Sequence, residues 1–202
     1  MPLSKASRLV ASLRGLWPSL TLAVLCGSIS GQTSPALDKA LEAADRQVVR
    51  LQPTAFAELP RNLIVELQRR RCTIPQVPMI ERRHNVIRGQ FAKPGQSDWA
   101  VLCSVDGISS ILVFWNGAAK NPAVLSTGKD IDRLQGWVGD TIVYSCALSP
   151  QGKDYILEHY KAYGGPKPPP VDHQGIDDAF YGKASVVRYF YKGQWLELTG
   201  AD

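Results

Sequence analysis

The side chains best able to do chemistry lie near the C-terminus of the 202-residue chain, in the segment DHQGIDD. It contains Asp172 and His173, followed by Asp177 and Asp178. Carboxylates and an imidazole can ligate a metal ion that activates water, or can form an acid–base pair. The simpler interpretation is a turn followed by a short helix, with Asp177 and Asp178 in its first turn, where the helix dipole favours negative charge. Both interpretations remain open from the residues alone.

The other histidines add little to this cluster. His159 is a conceivable third ligand, but it falls in a predicted strand (154–162), and no fixed spacing places it near Asp172. His84 follows Arg82 and Arg83 and is expected on a solvated face. We therefore predict no metal site and no cofactor.

A Gly- and Pro-rich loop at residues 163–175 offers a second kind of site. It begins at Tyr163 and contains three consecutive prolines, which stiffen the chain in an extended form. Together with neighbouring aromatic side chains, this loop is a candidate surface for a protein or an envelope glycan. The binding candidates are Tyr163, Asp172, His173 and Asp177.

Familiar catalytic motifs are missing from the sequence. It contains no G-x-S-x-G, no P-loop, no G-x-G-x-x-G and no H-E-x-x-H. Their absence favours a protein that is not an enzyme, without excluding one. The net charge also argues against nucleic acid as the partner, because the total of +5 includes three cations of a predicted leader and leaves about +2.

The first thirty residues have the pattern of a secretory signal peptide. Lys5, Arg8 and Arg14 precede an apolar run at 16–26, and small residues lead to a cleavage site expected after Ser30. The run is too short to span a bilayer, so no transmembrane segment is expected after cleavage. Leu25 and Ala23 fit a lipoprotein signal around Cys26 poorly. We expect export to the periplasm or the extracellular space.

Export permits disulfides, and three cysteines follow the leader. At most one intramolecular pair can form among Cys72, Cys103 and Cys146, and three pairings are open. We favour Cys72–Cys103, joining a helix end to a strand, with Cys146 buried in its own strand as a small hydrophobe.

Hydrophobic periodicity divides the exported part into two segments that pack as one domain. Residues 31–84 read as helical, with helices predicted over 37–51 and 60–70. Residues 85–202 read as β-rich. The predicted strands are 85–91, 98–104, 108–115, 122–126, 141–148, 154–162, 184–191 and 194–199. The expected fold class is α+β, with N-terminal helices packed on a mainly antiparallel sheet region that is a meander, a sandwich or partly propeller-like.

The stretch from Val86 to Val101 resembles an FG-GAP, or VCBS-like, integrin-type repeat, and the resemblance extends to about residue 115. The residues that carry it are Gly89, Phe91, Gly95, Asp98 and the apolar run Trp99, Ala100 and Val101. The whole chain also resembles uncharacterised exported bacterial proteins that contain similar DWAVLC and YKGxW stretches.

In the FG-GAP family, loop carboxylates and amides bind calcium. Here Gln90, Ala92 and Pro94 occupy those positions and only Asp98 remains, whereas calcium requires six to eight oxygen ligands. The resemblance therefore implies a blade-like hairpin without the metal.

These observations predict an exported, non-catalytic binding or structural domain of the cell envelope or extracellular space. The alternative is a metal-assisted hydrolase that uses Asp172, His173 and Asp177.

Overall fold

The computed structural model describes residues 34–139 and 141–201, and the side chain of Ala201 is not described. The expected signal peptide at 1–30, with Cys26, lies outside the described residues. Within them the chain forms three α-helices and twelve strands in antiparallel sheets, which confirms the α+β prediction. The helices are α1 (Pro35–Gln47), α2 (Arg61–Arg69) and α3 (Lys153–Tyr163). The strands are β1 (Arg50–Leu51), β2 (Ile74–Pro75), β3 (Val86–Gly89), β4 (Asp98–Val105), β5 (Ile108–Phe114), β6 (Ala123–Lys129), β7 (Leu134–Gly136), β8 (Ile142–Tyr144), β9 (Cys146–Gln151), β10 (Gly175–Phe180), β11 (Ala184–Tyr191) and β12 (Gln194–Ala201).

The two N-terminal helices form where the sequence predicts them. Ser34 caps α1 by accepting a hydrogen bond from the Leu37 amide, and α2 buries Leu63 and Leu67 on one apolar face. Helix α1 ends four residues earlier than predicted. The chain becomes extended there because β1 pairs with β2, Arg50 lying opposite Pro75.

Strands β3 to β6 form an antiparallel meander, which we call the N-terminal sheet. Its outer face carries Val101 and Leu112, which pack in one core with Leu63 and Leu67 of α2. Its inner face carries the intervening residues of each strand, since successive side chains of a strand point to opposite faces of the sheet. The predicted strands at 98–104 and 108–115 are confirmed, as β4 and β5.

Strands β9 to β12 form a second four-stranded sheet, the C-terminal sheet, with α3 inserted between β9 and β10. One face packs against α3, where Ile156 meets Val187 and Leu198. The opposite face shares a core with the inner face of the N-terminal sheet. Members of this shared core include Leu102, Ile111, Val113, Leu148 and Ile176.

The predicted strand at 154–162 is wrong, because this segment is helix α3. Its two buried residues, Ile156 and His159, lie three positions apart and share one helix face. The predicted short helix at Asp177 and Asp178 is also wrong, because both residues lie in β10.

His84 is not on a solvated face. It is only 8% exposed, and its Nε2 accepts a hydrogen bond of 2.8 Å from the amide of Val77. Burial lowers the pKa of His84, which favours the neutral ring that this contact requires.

The disulfide between Cys72 and Cys103 is present, as predicted, and ties the turn that follows α2 to β4. Cys146 is free and buried. No helix of the described residues is both long and apolar enough to cross a bilayer.

Candidate functional site

Asp172 and His173 lie in the loop before β10 and gather around one tyrosine of β11. The Tyr189 hydroxyl donates to Oδ1 of Asp172 at 3.2 Å, and the His173 ring lies 4.4 Å from the Tyr189 ring. Burial raises the pKa of the Tyr189 hydroxyl, so it stays protonated and able to donate. Through these contacts Asp172 and His173 hold the Pro-rich loop against β11.

Asp177 and Tyr163 lie at a different place, between the C-terminal sheet and α3. Oδ2 of Asp177 accepts a hydrogen bond of 3.2 Å from the Tyr155 hydroxyl, and the Tyr163 ring lies 4.9 Å from the His159 ring. Burial raises the pKa of the Asp177 carboxyl, against the hydrogen bonds from Ser185 and Tyr155.

Asp172 and His173 therefore share one partner, Tyr189, whereas Asp177 and Tyr163 each contact a different residue of α3. Among residues 34–139 and 141–201, no three His, Cys, Asp or Glu side chains are grouped so that they could hold a metal ion. The hydrolase that the sequence suggested as an alternative remains a prediction with no supporting geometry in the described residues.

Asp178 faces the opposite side of β10 from Asp177, because successive residues of a strand alternate. Its Oδ2 lies 2.8 Å from Nη1 of Arg188 and 2.9 Å from the Ser126 hydroxyl, while its Oδ1 lies 3.8 Å from Nη1 of Arg133. These three charged side chains are at most 10% exposed. Buried charges are costly unless they are paired, so this ion-pair network holds the two sheets in a defined arrangement.

Arg133 connects this network to the free cysteine. Its Nη1 lies 3.2 Å from Sγ of Cys146, and its Nη2 donates to the backbone carbonyl of Ser126 in β6. Burial raises the pKa of the Cys146 thiol to about 11, even though Arg133 acts in the opposite direction. The thiol is therefore protonated at neutral pH and is a poor nucleophile.

The segment that carries Arg133 is anchored by a second buried acid. Asp130, 1% exposed, lies 2.8 Å from Nη2 of Arg50, 2.6 Å from the Ser104 hydroxyl, and also accepts from Ser109. Its amide donates to the carbonyl of Gly107 at 2.8 Å. These contacts hold residues 130–133 against the N-terminal sheet, so that Arg133 projects toward the C-terminal sheet.

A cleft of about 500 Å³ opens between the 130–133 segment, the β6 edge and the C-terminal sheet. We call it the inter-sheet cleft. Arg133, Cys146 and Asp178 lie along it with apolar Phe180, Ala184 and Val186, and Lys129, Asp132 and Lys183 also line it. This volume lies in the range typical of small-molecule sites.

Two polar atoms at this cleft are buried and have no hydrogen-bond partner among the described residues. They are Nε of Arg133 and Oδ1 of Asp178. Buried polar atoms nearly always have a hydrogen-bond partner. An unpaired donor beside an unpaired acceptor therefore indicates that a bound molecule supplies the missing partners. Both atoms thus lie at the wall of the cleft without a hydrogen-bond partner, although Oδ1 of Asp178 is also 3.8 Å from Nη1 of Arg133.

Sequence reasoning missed this site because its residues come from three distant parts of the chain. One signal was available. Arg188 is placed between Val186 and Phe190 on the strand face that holds apolar residues, and a charged residue at such a position needs a buried partner. No comparable signal marks Arg133.

Asp98, which carries the resemblance to the calcium-binding repeat, is fully buried and has four hydrogen-bond donors around it. Oδ2 accepts from the amides of Phe91 and Ala92, and Oδ1 accepts from the Asn116 amide and the Gln96 side chain. The carboxylate thus organises the turn before β4.

Comparisons of the chain with family models, with curated proteins and with solved structures found no match.

Proposed function

We propose that this chain is an exported binding domain of the cell envelope or extracellular space that holds a small carboxylate ligand in the inter-sheet cleft without transforming it. Export follows from the signal-peptide pattern of residues 1–30. A disulfide-bonded fold and a poorly nucleophilic thiol agree with a binding role.

The observation that carries the proposal is the unpaired donor beside the unpaired acceptor. Nε of Arg133 requires an acceptor, and Oδ1 of Asp178 requires a donor. Three cations, Lys129, Arg133 and Lys183, line the cleft against two carboxylates, Asp132 and Asp178, which favours an anionic acceptor. A carboxylate with a nearby hydroxyl or N–H group satisfies both atoms.

The apolar and cationic residues of the cleft indicate what the ligand carries besides these two groups. Phe180, Ala184 and Val186 offer apolar surface for a short hydrocarbon chain, and Lys129 and Lys183 line the cleft as further cations. The ligand class is therefore a small hydroxy- or acylamino-carboxylate with an apolar tail.

Three related probes test this assignment: 3-hydroxyoctanoate, octanoate and 1,3-octanediol. The first carries the anion and the donor, the second lacks the donor, and the third lacks the anion. Calorimetric titration and thermal shifts should rank binding in that order, because a ligand that binds only the folded state raises the Tm. Failure of all three probes to bind, or binding of the diol as tightly as the hydroxy acid, contradicts the proposal.

A variant that fills the inter-sheet cleft tests whether the ligand binds there. Ala184→Phe places a ring in the cleft, keeps every residue of the buried ion pairs, and should abolish binding of 3-hydroxyoctanoate. Ala162→Phe, on the exposed side of α3, is the matched control and should bind like the unaltered protein.

A further inference from the structure

The outer face of the N-terminal sheet is covered only in part. Helix α2 shares a core with Val101 of β4 and Leu112 of β5, whereas a groove of about 320 Å³ lined by Ile108, Ser110, Leu112 and Val124 stays open beside it. Ile108 is 41% exposed and Val124 55% exposed. An aliphatic sheet surface is thus presented to solvent.

A cationic cleft continues from this groove along α2. It has a volume of about 640 Å³ and is lined by Arg61, Arg69, Arg70 and Lys120 around Val65, which is 57% exposed. Arg70 lines both the groove and the cleft, so they form one continuous surface. We call the two together the α2 surface.

The carboxylates near the α2 surface are already engaged. Glu66 accepts hydrogen bonds from Arg69 and Arg70, and Asp106 pairs with Arg71 at 2.9 Å. Arg61 and Lys120 form no ion pair with any residue that the structure describes. Four cations therefore line the cationic cleft against one carboxylate, Glu66, which is an excess of three positive charges.

We propose that the α2 surface docks the protein onto an anionic lipid membrane. Lipid phosphates would lie against Arg61 and Lys120, while Val65, Ile108 and Val124 enter the boundary between headgroups and acyl chains. Free cations beside exposed aliphatic side chains are the arrangement by which peripheral proteins bind anionic bilayers, through electrostatic attraction and burial of apolar area together. The paired carboxylates leave the excess cations available for phosphate.

Vesicle sedimentation tests the proposal directly. The full protein should bind vesicles of equimolar phosphatidylglycerol and phosphatidylcholine, should bind pure phosphatidylcholine vesicles much more weakly, and should be released as ionic strength rises. The double variant Arg61→Glu/Lys120→Glu should lose at least about 30-fold in binding, since each lost cation near an anionic surface costs about fivefold.

Two further variants separate charge from apolar insertion. Lys161→Glu/Lys192→Glu makes the same charge change at exposed positions away from the α2 surface and should bind like the unaltered protein. Val65→Ser/Val124→Ser should keep a salt-sensitive association but lose the part that resists high ionic strength, because that part depends on apolar burial.

The following outcomes overturn the proposal: equal binding to both kinds of vesicle, equal loss in the control double variant, or capture by soluble polyglutamate with no binding to vesicles, which would assign the surface to an acidic protein partner. The cleft-filled Ala184→Phe variant should bind vesicles normally, so failure of the small-ligand proposal and failure of this one are distinguishable.

Discussion

Asp177 and Asp178 are neighbours in sequence but occupy opposite faces of β10 with opposite electrostatic surroundings. Asp177 faces α3, where the Tyr155 hydroxyl donates to it and where burial raises its pKa. Asp178 faces the shared core, where Arg188 lies 2.8 Å away and Arg133 3.8 Å away. Replacing the carboxylate by an amide should therefore have opposite effects on the stability of the folded protein at the two positions.

We predict that Asp177→Asn stabilises the protein at neutral pH by on the order of 1 kcal/mol, because it removes a poorly compensated buried charge. The folded state raises the pKa of Asp177, so it binds this proton more tightly than the unfolded chain does. Stability from this group is thus present in acid and is lost as the pH rises from the ordinary Asp value through the raised one. Denaturant unfolding at several pH values should show that loss in the unaltered protein and not in Asp177→Asn.

Asp178→Asn is the matched comparison. It should destabilise the protein by about 3–5 kcal/mol at neutral pH, since it leaves Arg133 without its buried counter-charge and Arg188 with only the half-exposed Glu197. Equal effects of the two substitutions would contradict the assignment of the two faces.

At the scale of elements, α3 depends on the absence of a side chain in β12. A Cβ atom built on Gly200 would lie 2.5 Å from Cε1 of His159 and 2.9 Å from the Tyr163 ring. The His159 ring in turn lies 3.1 Å from the carbonyl of Leu198 through its Nε2. Helix and strand can approach this closely only because residue 200 is glycine.

Gly200→Ala should therefore push α3 away from the sheet and destabilise the protein by about 1–3 kcal/mol. Gly128→Ala in β6 is the control, because a Cβ atom there would have no heavy atom within 4 Å, and its effect should stay within about 0.5 kcal/mol. Thermal unfolding followed by far-UV circular dichroism measures both. A Gly200→Ala protein as stable as the Gly128→Ala protein would refute this account of how α3 is seated.

At the scale of the whole molecule, the two sheets are joined by groups from several parts of the chain. The Asn85 side chain donates to the carbonyl of Cys146 at 3.0 Å and accepts from the Leu148 amide at 2.9 Å, which links the residue before β3 to β9. The Trp115 ring lies 4.8 Å from Phe190 and 5.8 Å from Trp195, which joins the end of β5 to the last hairpin. The disulfide holds α2 to the outer side of this assembly.

Removing the disulfide tests its contribution to global stability. The Cys72 and Cys103 positions are 31 residues apart, so the double variant Cys72→Ser/Cys103→Ser should lose about 3–4 kcal/mol by the loop-entropy account. Urea unfolding with and without reductant should show a loss on reduction of the unaltered protein and no further effect of reductant on the variant. Non-reducing peptide mapping that joined Cys146 to either partner would contradict the pairing.

Local sequence patterns were sufficient for much of the fold, because the information lay within short windows. The strands at 98–105, 108–114 and 184–191 follow from apolar and β-branched runs that end at turns. The last hairpin follows from Lys192 and Gly193, which both adopt positive φ angles, as a tight hairpin turn requires. The ends of α2 and the Cys72–Cys103 pairing were also predicted from the sequence.

The tertiary structure alone decided the identity of the 153–163 segment and the position of the candidate site. Helix α3 is selected by the packing of Ile156 against Val187 and Leu198, contacts that no local window contains. The charged β10 is tolerated as a strand because Arg188, ten residues away, and Arg133, forty-five residues away, meet Asp178 across the sheets. Burial energies and ion pairing depend on distances in space, and these distances cannot be read from the positions of the residues along the sequence.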